Sequence, residues 1–129
     1  IKSQVVVDQR SKKIICVHVD KGRKHDCRLF KESRLPILAS TKIQADSGYQ
    51  GIQKKYTQSK IPHKAKKNNP LTAQQKKENH LLSATRAVVE NVIRTLKIFK
   101  IIAEKYRNRR KRFALRLNLI AAICNLQLC

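Results

Sequence analysis

The sequence predicts an α/β fold, a sheet covered by helices, and three observations carry that reading. The chain opens on two β-branched runs, KSQVVV at 2–7 and IICVHV at 14–19, joined by a polar stretch. A short apolar segment at 41–45 then ends abruptly at Asp46-Ser47-Gly48. The second half carries helical periodicity, first from Thr72 onward and again from Phe113. Strands followed by helices describe a helix-covered sheet rather than a helical bundle.

The first two runs alternate as strands do, and the polar DQRSKK between them predicts a hairpin with Asp8 in the turn. In DKGRKHD, Gly22 permits a turn, and Asp26 is expected as the N-cap of a short helix, CRLFKES, with Leu29 and Phe30 apolar. Pro36 separates that helix from a short strand at 41–45, which leaves the carboxylate of Asp46 at a strand exit. Residues 54–69 are polar and lysine-rich, with Ile61-Pro62 at an edge and Asn68-Asn69-Pro70 as a breaker. Thr72 and Gln75 make a capping-box pair that opens a helix expected to reach about Glu104. After a basic run at 105–112, Phe113, Leu117, Ile120 and Cys124 recur at helical spacing and predict a last, largely buried helix.

With 129 residues, the chain has material for one modest core. Thirty Lys and Arg against eight Asp and Glu give a net charge of +22, far beyond what solubility requires. Such a chain needs a polyanion, and nucleic acid is the default, because neutralised phosphates release condensed counterions. A hydrophobic content of 41% in periodic runs excludes a disordered basic tail. The candidate phosphate contacts are Lys105, Arg107, Arg109, Arg110, Lys111 and Arg112 in the basic run, with Lys54, Lys55, Lys60, Lys64, Lys66 and Lys67 earlier.

The opening residues lack the pattern of a secretory signal. The longest apolar stretch, LRLNLIAAICNLQLC, is broken by Arg116, Asn118 and Asn125 and is too short to span a bilayer. A soluble, intracellular protein is the expectation. The first residue is not Met and the chain begins directly on a strand, so it is expected to be part of something longer. Cys16, Cys27, Cys124 and Cys129 form no CxxC pair, and no disulfide framework is expected.

Two carboxylates stand out. On the long helix each residue turns about 100° from the last, so Ser83, Arg86, Glu90, Arg94 and Lys97 share one polar stripe, while Val89, Ile93 and Leu96, with the nearby Val88 and Val92, are expected on the core side. Taken alone, Glu90 is better explained by a solvated stripe of ion pairs. Asp46 has an ordinary turn reading of the same kind. Cys16, His18, His25 and Cys27 are zinc-ligand types, but their spacing matches no zinc module and strand packing explains them.

DSGYQG at 46–51 and RAVVENVIRTLK at 86–97 resemble the DDE transposases of bacterial insertion sequences, the DDE superfamily endonucleases. In that family the second carboxylate lies in an Asp-x-Gly-Tyr/Phe motif, matched by Asp46, Gly48 and Tyr49. The third lies in a pattern of Tyr, Arg, Glu and Lys, matched at the family's spacing by Arg86, Glu90 and Lys97, with Ser83 in place of the tyrosine. KGRKHDCRLFKES and RNRRKRFALRLNLIAAICN resemble the group too, so the likeness covers essentially the whole chain.

The resemblance implies a ribonuclease-H-like mixed sheet flanked by helices. The first carboxylate would sit on a first strand, the second after the fourth strand and the third on a helix. The first acid is then expected upstream of Ile1, so that residues 1–129 form one N-terminally truncated catalytic domain with a basic helical region at 105–129. The implied activity is metal-dependent phosphodiester cleavage and strand transfer of DNA, acting on transposon ends and target. Asp46 and Glu90 would be the catalytic ligands of Mg²⁺ or Mn²⁺, while Arg86 and Lys97, with Arg94 on the same stripe, hold the strand and Tyr49 packs beneath. The family further implies a homo-oligomer when intact and no membrane. With one acid missing the chain alone is expected not to cleave; the alternative is a non-catalytic basic remnant of a mobile element that binds nucleic acid.

Overall fold

The two N-terminal runs pair as their alternation predicts. In the computed structural model, which describes residues 2–99 and 112–128, strands β1 (Lys2–Val7) and β2 (Ile14–Asp20) form a two-stranded antiparallel sheet. Among the described residues three α-helices follow: α1 (Asp26–Glu32), α2 (Ala73–Lys97) and α3 (Phe113–Gln127). The chain divides into two compact units, one of Ile1–Lys24 with Val88–Cys129, the other His25–Ala87.

In the first unit the hairpin turn is held by Asp8. Its backbone N–H donates to the Lys13 carbonyl at 2.9 Å, and its Oδ1 accepts the Arg10 N–H at 2.9 Å. The register Val5↔Val17 and Val6↔Cys16 shifts to Val7↔Ile14, leaving Ile15 as a bulge. That extra residue breaks the period of two: Ile14 joins Val5, Val7 and Val17 on the core face, and Ile15 turns to solvent. The core itself is Ile14 with Leu96 of α2 and Ile120, Ala121 and Cys124 of α3, with Val92 packed against it. Asn125 of α3 completes the join, its Oδ1 accepting the Ile14 N–H at 2.8 Å and its Nδ2 donating to the Ile14 carbonyl at 2.9 Å.

Helix α3 is apolar on more than its buried face. Phe113, Leu117, Ile120, Ala121 and Cys124 are buried, while Leu115, Leu119, Ile123 and Leu126 form a second row at helical spacing that is 45–72% exposed. Among the described residues no helix is long and apolar enough to cross a membrane.

In the second unit α1 begins one residue earlier than its sequence suggests. His25 is the N-cap, its Nδ1 accepting the Cys27 N–H at 3.3 Å, and Asp26, expected as the cap, is instead the first helical residue. Cys27, Leu29 and Phe30 are buried with Ile52 and Tyr56. Phe30 meets Tyr49 and Tyr56 edge-on, at ring separations of 6.5 and 5.8 Å.

The strand expected at 41–45 is reduced to one parallel bridge, Gln44↔Lys60. Lys60 N–H donates to the Ile43 carbonyl at 2.8 Å and Ala45 N–H donates to the Lys60 carbonyl at 3.1 Å. The ladder stops there because Pro62, two residues on, has no N–H to offer. The mixed sheet expected from the resemblance is represented, among the described residues, by an antiparallel pair, this parallel bridge and an isolated antiparallel bridge, Lys66↔Asn69.

Helix α2 opens with the capping box read from sequence: Gln75 N–H donates to Thr72 Oγ1 at 3.2 Å, and Thr72 N–H donates to Gln75 Oε1 at 3.0 Å. It ends at Lys97, and the continuation expected to Glu104 lies outside the described residues beyond Phe99.

Candidate active site

Asp46 follows directly on the bridge to Lys60. Its backbone is extended, and its Oδ1 accepts the Gly48 N–H at 2.8 Å, capping a 3₁₀ turn over Ser47–Tyr49. The carboxylate is exposed. A side-chain acceptor on its own turn fixes the direction of the acid without burying it.

Gly48 lies at a close approach. A Cβ built there would collide with Oδ2 of Asp26 and lie 3.6 Å from Oδ1 of Asp46, so Gly48 sits between two carboxylates. Sequence reasoning missed Asp26 as a neighbour of this turn, having assigned it to the helix cap. The signal was present in the motif's glycine, which marks a place where another group comes close.

Tyr49 is half-buried against Phe30. Burial, and then the charges of Asp26 and Asp46, push its phenol up to about 12. It packs below the turn, and its hydroxyl stays protonated beside two acids.

Glu90 stands in the first unit and Asp46 in the second, each in its own setting. Ser83, Glu90, Arg94 and Lys97 are exposed and Arg86 is half-buried on α2, while Leu96 is buried and Val92 packs on the core. Val88, Val89 and Ile93, the rest of the apolar side read from sequence, are half-buried and stand outside the core cluster. Arg112 is exposed at the N-terminus of α3. Lys105, Arg107, Arg109, Arg110 and Lys111 lie outside the described residues.

Asp46 and Glu90 offer hard carboxylate oxygens, a donor chemistry that fits Mg²⁺ or Mn²⁺. Among the described residues no three His, Cys, Asp or Glu side chains gather as a metal site, the Cys16, His18, His25 and Cys27 set included. Mg²⁺ commonly takes one or two carboxylates and completes its shell with waters and substrate phosphates.

A family model described as "Transposase DDE domain" matches residues 1–126. The chain belongs to that family. Among curated relatives, this DDE domain is 48% identical over 128 residues to "Probable transposase for insertion sequence element IS702" of Microchaete diplosiphon, covering 99% of the chain and 46% of that protein. It is 34% identical over 86 residues to "Transposase for insertion sequence element IS1106" of Neisseria meningitidis serogroup B, covering 62% of the chain and 30% of that protein. The domain thus spans under half the length of the curated relatives it matches. No solved structure matches it. Both motifs that suggested the family lie inside the matched span, with Asp46, Gly48, Tyr49 and Arg86 in one unit and Glu90 and Lys97 in the other.

Proposed function

We propose that this chain is the part of an insertion-sequence transposase that carries the second and third carboxylates of a metal-dependent DNA-cleaving site. The fold it contributes to is ribonuclease-H-like, residues 1–129 forming one part of that catalytic domain. The observation that carries the reading is the family match over 1–126, with Asp46 and Glu90 at the two motif positions within it.

Asp46 and Glu90 hold Mg²⁺ or Mn²⁺, which when bound activates the attacking oxygen and stabilises the leaving oxygen of a phosphodiester. The chain's own groups do the rest. Asp46 is aimed by the Gly48 N–H, and Tyr49 supports the turn from beneath as a neutral phenol. Arg86, Arg94 and Lys97 hold the strand from the stripe that carries Glu90, and the bases at Lys105, Arg107, Arg109, Arg110, Lys111 and Arg112 contact phosphates further along the DNA. The partners are transposon ends and target DNA, brought together by a homo-oligomer of the intact protein.

Two carboxylates under-compensate the charge of two dications, so the 129 residues by themselves bind metal weakly and do not nick DNA. In the full-length transposase, Asp46→Asn and Glu90→Gln each abolish Mg²⁺-dependent nicking while leaving duplex binding in chelator unchanged. Full nicking activity in either variant would overturn the assignment. A second reading, a basic remnant that only binds nucleic acid, is favoured by Ser83 in the family's tyrosine position and by the net charge of +22; it predicts no metal-dependent nicking from any version of the protein.

A further inference from the structure

The basic segment at 60–69 is tied down at Lys60 and at His63, and its far end closes on itself in a tight turn. At its start, Lys60 is hydrogen-bonded on both backbone groups to Ile43 and Ala45, the residues leading into Asp46. Three residues on, Asn79 of α2 grips the backbone of His63: its Oδ1 accepts the His63 N–H at 2.7 Å and its Nδ2 donates to the His63 carbonyl at 3.0 Å. The His63 Nε2 is also 2.5 Å from Glu78 Oε2. At the far end the chain turns tightly, Lys66 N–H donating to the Asn69 carbonyl at 3.2 Å and Asn69 N–H to the Lys66 carbonyl at 3.0 Å, with Lys67 at the tip. Lys60, Lys64, Lys66 and Lys67 are exposed throughout.

A solvated lysine loop has no need of a two-point amide grip. Flexible lysines lose affinity to the entropy of ordering them on a ligand, and a fixed backbone removes part of that loss in advance. The geometry points to residues 60–67 as a pre-ordered track for the phosphate backbone of duplex DNA, running up to the Asp46 turn, with Asn79 as its positioning residue. The role of the track beside Asp46 rests on the transposase reading above; its capacity to hold DNA does not.

The test is duplex binding by the full 129-residue chain in chelator, as a function of salt, so that loss of catalysis plays no part in it. Replacing Lys64, Lys66 and Lys67 by Ala should weaken binding by on the order of tenfold and lower the slope of log affinity against log salt by about two to three. Replacing Arg10, Lys13 and Arg23, exposed bases of the first unit, removes the same charge and should change the slope by less than about one. Asn79→Ala keeps every charge and should still lower both affinity and slope, an effect that charge counting cannot produce. Equal losses in the two triple variants would mean that DNA is held diffusely and would overturn the track. So would an Asn79→Ala chain that is folded by circular dichroism and binds as wild type does.

Discussion

The side-chain amide of Asn125 closes on both backbone groups of Ile14, 111 positions away in sequence, at 2.8 and 2.9 Å. Ile14 is the residue that the bulge turns inward, and it sits at the strand end, where its own N–H and carbonyl would otherwise lack a ladder partner on that side. The helix therefore finishes the sheet's hydrogen bonding.

Asn125→Ala leaves a partly buried donor and acceptor unpaired and is expected to lower stability by about 1–3 kcal/mol. Asn125→Asp keeps the acceptor but sets a carboxylate oxygen against the Ile14 carbonyl, and should cost at least as much as the alanine. Urea unfolding of the three proteins checks the order; an Asn125→Ala protein as stable as wild type would remove the clamp from the account.

Gly48→Ala brings a methyl against the Asp26 carboxylate, the far end of a side chain that must turn aside, and is expected to cost about 1 kcal/mol or less. Asp26→Ala in the same chain opens the space. A double-mutant cycle should therefore show the pair less destabilised than the sum of the single changes.

Tyr49 gives an alkaline signature. Its folded value is raised to about 12 from an ordinary 10.0, so its neutral form contributes stability that is complete below pH 10.0 and is lost as pH rises through about 12. Ultraviolet titration should find one late tyrosinate, absent in Tyr49→Phe and shifted to lower pH in Asp46→Asn or Asp26→Asn. If the late step persists in Tyr49→Phe, the assignment fails.

Glu78 works in the acid direction. Its hydrogen bond from His63, and then that from Gln74, hold its carboxyl below the ordinary 4.5, so the contact contributes stability above that pH and loses it as pH falls through the lower folded value. Thermal unfolding from pH 4.5 downward should fall more steeply in wild type than in Glu78→Gln. Parallel curves would show that the contact contributes nothing.

Local features were legible in the sequence because their causes are local. The hairpin, the Asp8 turn, the Thr72–Gln75 capping box, the two-sided α2 and the start of α3 follow from alternation, helical period and short side-chain reach. What escaped depends on partners far along the chain. The segment at 41–45 has strand-like residues, but a strand also needs a neighbour that can continue the ladder, and Pro62 ends it after one bridge. His25 took the cap because its ring nitrogen reaches the Cys27 N–H, while Asp26 is placed against Gly48, a contact that no spacing rule foretells. Asp46 and Glu90 were legible as motif positions; the Gly48 hydrogen bond and the two acids flanking that glycine were not.

The outer row of leucines on α3 has a practical consequence. At low ionic strength a net charge of +22 keeps copies of the chain apart, over a screening length of about 10 Å at 0.1 M salt. At 1 M that length shrinks to about 3 Å, while the attraction between exposed Leu115, Leu119 and Leu126 is not screened at all. High salt is thus expected to favour association of copies of the chain through this row, where low salt opposes it.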